Sequence, residues 1–172
     1  AVPERANPAD VFIGRGGVSI ERLPPGSKIA TSSLRRQAIL RAMFSHLAFV
    51  EIKGNLDTRL TKLRAPQPAF DGIIVAAAGI QRLYPDNPIA TQVLAPGQVV
   101  PAAGQGVLAL EIRENDEAMR KVLAPIHHVP TATCVEAERE LQRRLEGGCQ
   151  VPLGIYGELD GGRLTLTACL AR

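Results

Sequence analysis

Ile73-Ile74-Val75-Ala76-Ala77-Ala78 is an unbroken apolar run, entered through Phe70-Asp71-Gly72 and left at Gly79. Such a run without alternation reads as a strand buried on both faces. A strand of that kind needs a sheet with cover on both sides, which excludes most all-β and all-helical solutions. Two shorter segments agree. Lys28 to Thr31 is β-compatible and follows Pro24-Pro25-Gly26, and Phe49 to Ile52 is a second such stretch.

Helical patterns separate these strands. Ser33 can cap a helix carrying Leu34, Ala38, Ile39, Met43 and Leu47. Gly54 and Asn55 supply a turn and a cap before Leu56, Leu60 and Leu63, and Gly79 opens a short helix through Leu83. Strand and helix alternate three times, which predicts a parallel sheet with right-handed crossovers over residues 10–95 or so. Beyond Pro96-Gly97, Val107 to Ile112 reads as a strand and Asp116 to Leu123 as a helix. Thr131 can cap a helix with Val135, Glu138, Leu141 and Leu145. Tyr156 to Leu159 and Leu164 to Leu170 read as a hairpin joined through Asp160-Gly161-Gly162. The fold class expected is α/β, a parallel-sheet domain followed by the start of a small α+β domain.

With 172 residues and 45% hydrophobic content, the chain can build one good core or two small ones. Aromatics are only 3%, so burial rests on aliphatic packing. No apolar run is long enough to span a bilayer, and Ala1 to Asp10 is polar, so a cytoplasmic protein without a membrane partner is expected. The net charge of +3 brings neither a basic stripe nor interleaved aromatics, which argues against nucleic acid. The chain opens in an irregular segment and stops inside an alternating strand pattern, so a longer protein is expected.

Cys134, Cys149 and Cys169 form no metal-spaced pair, and the odd count argues against a disulfide framework. Adjacent His127 and His128 point apart and read as linker. No metal site is expected. Cys149 differs from the other thiols: it follows Gly147-Gly148, which leave its approach side bare. Such a setting suits a thiol that reacts or carries something.

Ligands of open parallel sheets bind beyond the carboxyl ends of the strands. The first strand delivers Thr31, Ser32, Ser33, Arg35 and Arg36 to that edge; the second delivers Lys53, Asn55 and Arg59; the third delivers Arg82. Arg35 and Arg36 stand in the first turn of a helix, where the partial positive charge disfavours them by roughly a few tenths of a kcal/mol each or more. A bound carboxylate or phosphate reverses that sign. Taken singly, each arginine is ordinarily a solvated side chain and each serine a cap. Gly104-Gln105-Gly106 is a weak signal alone. The convergence at one edge supports an anion site for a ligand with several carboxylates.

Four motifs carry a resemblance: Thr31-Ser32-Ser33-Leu34-Arg35-Arg36-Gln37, Gly54-Asn55-Leu56-Asp57-Thr58-Arg59-Leu60, Pro101-Ala102-Ala103-Gly104-Gln105-Gly106, and Glu146-Gly147-Gly148-Cys149-Gln150-Val151-Pro152. In this order and at these separations the chain resembles the porphobilinogen deaminases, or hydroxymethylbilane synthases, nearly end to end. The resemblance implies two periplasmic-binding-protein-like domains and a small α+β third domain. Here residues 1–9 would be a remnant of domain one, 10–98 domain two, 99–124 the return into domain one, 125–130 a linker and 131–172 part of domain three. The implied activity is head-to-tail condensation of four porphobilinogen molecules, with loss of ammonia, to hydroxymethylbilane in heme and tetrapyrrole biosynthesis. The implied cofactor is a dipyrromethane attached by a thioether to Cys149. Arg35, Arg36, Lys53, Arg59 and Arg82 match carboxylate-binding positions, and Thr31, Ser32, Ser33, Asn55 and Gln105 match positions that add hydrogen bonds. The family's catalytic aspartate lies in a motif upstream of residue 1, so no catalytic residue is nominated in this chain. Lys53 stands where the family usually carries arginine, which removes a bidentate fork. The implied partners are porphobilinogen and a separate N-terminal polypeptide completing domain one, in a monomeric enzyme; alone, the chain is expected to be inactive. The competing reading is a carboxylate-binding domain without chemistry.

Overall fold

The structure is a computed structural model that describes residues 1–86, 89, 92–145 and 151–171. Its elements run β1 (Asp10–Gly14), β2 (Lys28–Ala30), α1 (Leu34–Met43), β3 (Ala48–Val50), α2 (Leu56–Arg64), β4 (Gly72–Ala76), α3 (Ala77–Leu83), β5 (Gln92–Leu94), α4 (Glu117–Leu123), α5 (Val129–Arg144), β6 (Leu153–Asp160) and β7 (Arg163–Leu170). The first five strands form one sheet in the order β3-β2-β4-β1-β5, and β6 and β7 form an antiparallel pair.

The central strand behaves as its composition requires. Ile73 and Val75 face a core with Leu60, Leu63, Ala77 and Ile80. Ile74, between them, faces the opposite core with Phe12, Ile29, Ile39 and Leu40. Successive side chains alternate across the sheet, so both faces are apolar only because both are covered. Side-chain caps start two of the covering helices. Ser33 Oγ accepts the Arg36 N–H at 3.4 Å, and Asn55 Oδ1 accepts the Thr58 N–H at 2.9 Å.

The sheet is mixed rather than parallel. β2 pairs parallel with β3 and β4, but β1 lies antiparallel to both β4 and β5. The alternation of strands and helices along the sequence governs β2 to β4 only. β1 enters without a crossover helix, connected to β2 by two short 3-10 turns. β4 also ends sooner than its apolar run. The chain turns into α3 at Ala77, whose N–H donates to Ala9 O at 2.9 Å. Alanine favours that early helix start.

Val107 to Ile112 is not a strand. Leu110 exchanges backbone hydrogen bonds with Ala1, each 2.9 Å, without extending into a ladder. The cap of α5 is His128 rather than Thr131: its Nδ1 accepts the Thr131 N–H, and Pro130 occupies the first turn, where its missing N–H is harmless. The expected linker is thus partly helical.

The β6–β7 pair is joined to the rest at main-chain level. Ile155 N–H donates to Pro101 O at 2.7 Å. A side chain on Gly154 would sit 2.6 Å from Val100 O, so glycine is required by the closeness of the two backbones. No helix among the described residues is long and apolar enough to cross a membrane.

Candidate anion-binding site

β1 carries a residue that the parallel strands could not have revealed. Because it runs opposite to β4, its first residue, Asp10, stands beside Ala76 at the carboxyl end of β4. The same edge receives the start of α1. Asp10 and Arg35 meet there with 0% and 5% of their side-chain surface exposed, and Arg36 retains 12%.

The geometry is tight. Arg35 Nη1 donates to Asp10 Oδ2 at 2.8 Å and to Val100 O at 2.7 Å. Arg36 reaches Asp10 Oδ1 through Nε at 3.0 Å and Nη2 at 2.7 Å, and its Nη1 donates to Ile74 O at 3.3 Å. Gln105 closes the cluster. Its Nε2 donates to Asp10 Oδ1 at 2.9 Å and to Pro8 O at 2.6 Å, while its Oε1 accepts Arg35 Nη2 at 3.2 Å. Burial alone would raise the Asp10 carboxyl, but Arg36 and Arg35 outweigh it and hold the group below its ordinary value. Asp10 is therefore an anion at neutral pH.

Two guanidinium groups share one carboxylate, so the cluster keeps an excess positive charge. Arg59 adds to it. Its Nε donates to Gly54 O at 2.9 Å, and its pKa is lowered by burial and then by the charge of Arg36, which places the two cations within electrostatic reach. Arg82 Nη2 donates to Gly106 O at 2.9 Å, next to Gln105. Neither Arg59 nor Arg82 has an ion-pair partner among the described residues. The arrangement can hold an anion with more than one carboxylate, since unpaired cations flank a pair already fixed in position.

The remaining sequence-derived residues take other places. Thr31 is buried, its Oγ1 accepting the Ser33 N–H at 3.3 Å. Ser32 Oγ donates to Ile52 O at 2.7 Å and accepts the Ile52 N–H at 3.1 Å, tying β2 to the end of β3. Ser33 and Asn55 are caps. Lys53 is exposed and lines a cavity of about 610 Å3 with Lys28, Lys62 and Phe70. Cys149 lies outside the described residues. Among the described residues no group of three or more His, Cys, Asp or Glu side chains could hold a metal ion.

Sequence reasoning missed Asp10 because it counted only what parallel strands deliver. It also missed Arg5 and Glu138. Glu138 is fully buried on α5 and pairs with Arg5 at 2.5 Å. Its carboxylate also accepts the Gly104 N–H at 2.6 Å and the Gly157 N–H at 2.7 Å. Arg5 Nε donates to Gln105 O at 2.9 Å, and its guanidinium lies 5.1 Å from the Tyr156 ring centre. Gln105 thus touches both clusters, one through its carbonyl and one through its side chain. A signal was available: Glu138 interrupts the otherwise apolar face of a predicted helix, where an acid requires a partner.

Comparison with known proteins agrees with this architecture. The family model described as porphobilinogen deaminase, dipyromethane cofactor binding domain, matches residues 1–121, and that described as porphobilinogen deaminase, C-terminal domain, matches residues 132–172. The chain is 44% identical to a porphobilinogen deaminase of Syntrophobacter fumaroxidans and 46% identical to one of Nitrosomonas europaea, each over 99% of this chain and 54% of the relative. It is 46% identical to one of Neisseria meningitidis over 96% of this chain and 52% of the relative. The chain spans about half the length of these curated relatives. With family models matching along nearly all of it, the chain belongs to the porphobilinogen deaminase family.

Proposed function

We propose that this chain is the carboxylate-gripping portion of a porphobilinogen deaminase, which condenses four porphobilinogen molecules head to tail into hydroxymethylbilane. The observation that carries the reading is the cationic excess around Asp10: Arg35 and Arg36 share one buried carboxylate, with Arg59 and Arg82 beside them. Each porphobilinogen brings an acetate and a propionate, so a growing pyrrole chain gains negative charge at every addition. Each addition breaks an aminomethyl C–N bond and forms a C–C bond at the free α-position of the terminal pyrrole. The hydrogen displaced there leaves with the ammonia.

A dipyrromethane, with its four carboxylates, fits this donor set in chemistry. Arg35, Arg36, Arg59 and Arg82 would hold its carboxylates, and Gln105 would tie Arg35 to Asp10. When bound, the group supplies the first pyrrole terminus for extension. Cys149 is the thiol we assign to its attachment, on the motif Glu146 to Pro152. Low local dielectric near the buried pair strengthens each cation's pull on an incoming carboxylate. Thr31, Ser32, Ser33 and Asn55 shape the edge by fixing the starts of α1 and α2, and Lys53 contributes charge from its rim.

The domain assignment follows the family. Residues 10–98 form a periplasmic-binding-protein-like domain two, 99–124 return to domain one, and 131–172 belong to domain three. We assign the protein to the cytoplasm. In that reaction this chain's own residues serve to bind the carboxylates of the pyrrole chain.

Calorimetric titration of the 172-residue chain with porphobilinogen tests the reading. Saturable binding that weakens with salt and in Arg36→Leu is expected; no binding at low salt would sink it. Joined to the N-terminal portion, the protein should carry added mass equal to two pyrrole units, lost in Cys149→Ser. Carboxylate binding without that mass or turnover in the joined protein would favour a binding domain without chemistry.

A further inference from the structure

Asp10 is the least expected member of the cluster. A site meant to bind anions would gain attraction by having no carboxylate of its own, yet one is buried at its centre. Arg35 and Arg36 are consecutive on α1, so their side chains leave the helix about 100° apart and have no intrinsic reason to converge. They converge because both bond to Asp10, Arg35 on Oδ2 and Arg36 on Oδ1. Gln105 then ties the same carboxylate to the loop that carries Gly106, the acceptor of Arg82.

We propose that Asp10 is the positioning residue of the anion site: its buried carboxylate aims the Arg35 and Arg36 guanidinium groups and cancels one of their two charges, so that a ligand carboxylate meets donors already set in place. This deepens the carboxylate-site reading and rests on it. A flexible arginine loses side-chain entropy when it grips a ligand, and prior fixation removes that loss from the binding step. The residual charge favours a carboxylate while leaving the helix start stable without one. Asp10 itself touches no ligand and transfers no proton.

The test uses formate as a replacement for the missing side chain. In Asp10→Ala, porphobilinogen affinity should fall about tenfold or more, the usual consequence of losing bonds to charged groups. Formate should restore both the melting temperature and the affinity, whereas chloride at equal ionic strength should restore neither. Asp10→Asn, of nearly the same shape, should lose affinity and show no recovery with formate. Folded Asp10→Ala or Asp10→Asn with wild-type affinity would overturn the proposal. So would recovery of melting temperature by formate without recovery of affinity, since that describes a purely structural residue.

A measurement on the unaltered chain needs neither ligand nor variant. Nitrogen-15 relaxation of the arginine Nε–H groups should find Arg35 and Arg36 rigid and Arg82 mobile. Mobile Arg35 and Arg36 would defeat the positioning role even where porphobilinogen binds. Rigid ones, in a chain that binds no porphobilinogen, would uphold the positioning and defeat the carboxylate-site reading instead.

Discussion

Among the described residues, two buried carboxylate–guanidinium clusters share Gln105 and differ in charge balance. At Glu138 one cation meets one anion, and main-chain N–H groups of Gly104 and Gly157 fill the remaining acceptor positions. The pair leaves no net charge to attract an anion. At Asp10 two cations meet one anion, with Arg59 close enough for its pKa to register Arg36. The balanced cluster joins α5 and β6 to the segment carrying Arg5; the unbalanced one sits at the edge where ligands of such sheets bind. Equal burial with unequal charge separates the joint from the proposed site.

The sharpest way to break this comparison is at the joint. Glu138→Gln removes the charge while keeping the shape and leaves Arg5 unpaired with 10% of its side-chain surface exposed. A loss of about 3–5 kcal/mol is expected, the usual consequence of stranding one partner of a buried pair. Urea unfolding measures it, and a loss below about 1 kcal/mol would mean that the joint is not what holds α5 in place. Arg36→Leu should do the reverse. Porphobilinogen binding should weaken by roughly ten- to a hundredfold, while unfolding stability changes less than in Glu138→Gln. Equal effects of the two variants on stability and binding would erase the distinction between them.

Acid titration sharpens the comparison further. The Asp10 carboxyl is held below its ordinary value in the folded chain. Its contribution is therefore complete above the unfolded value of about 4 and is lost as pH falls through the lower folded value. Stability should decline in that window, and Asp10→Asn should show a shallower decline there. An unchanged slope in the variant would place the acid sensitivity elsewhere. The smallest effect belongs to the surface. Glu140 accepts bonds from Arg143 and Arg144, which bring its carboxyl down to about 2, yet both arginines are exposed and Glu140 is only partly covered. Solvent screens such pairs, so Glu140→Gln should leave the melting temperature nearly unchanged and salt should have little further effect.

The parts of the fold that were legible are those whose information is local. The apolar run at Ile73, the caps at Ser33 and Asn55, and the Asp160-Gly161-Gly162 turn each state their conformation within a few residues. That Arg35, Arg36, Arg59 and Arg82 follow the carboxyl ends of parallel strands was legible as well, because strand and helix alternation fixes which residues reach that edge. The Val107 to Ile112 segment misled for the opposite reason. Its pattern permits a strand, but strand formation depends on a neighbour along its length, and Leu110 meets Ala1 at one point only.

Sequence by itself determined the strand and helix alternation from Lys28 to Leu83, the cationic character of one sheet edge and the family motifs. Side-chain period, capping chemistry and charge are properties of neighbouring residues, so they can be read without coordinates. Only the tertiary structure decided that β1 runs against β4, and with that decision came Asp10 at the carboxyl end of β4. Strand direction is settled by how the whole chain closes around its two cores, and a carboxylate 25 residues from Arg35 gains its meaning from that closure alone.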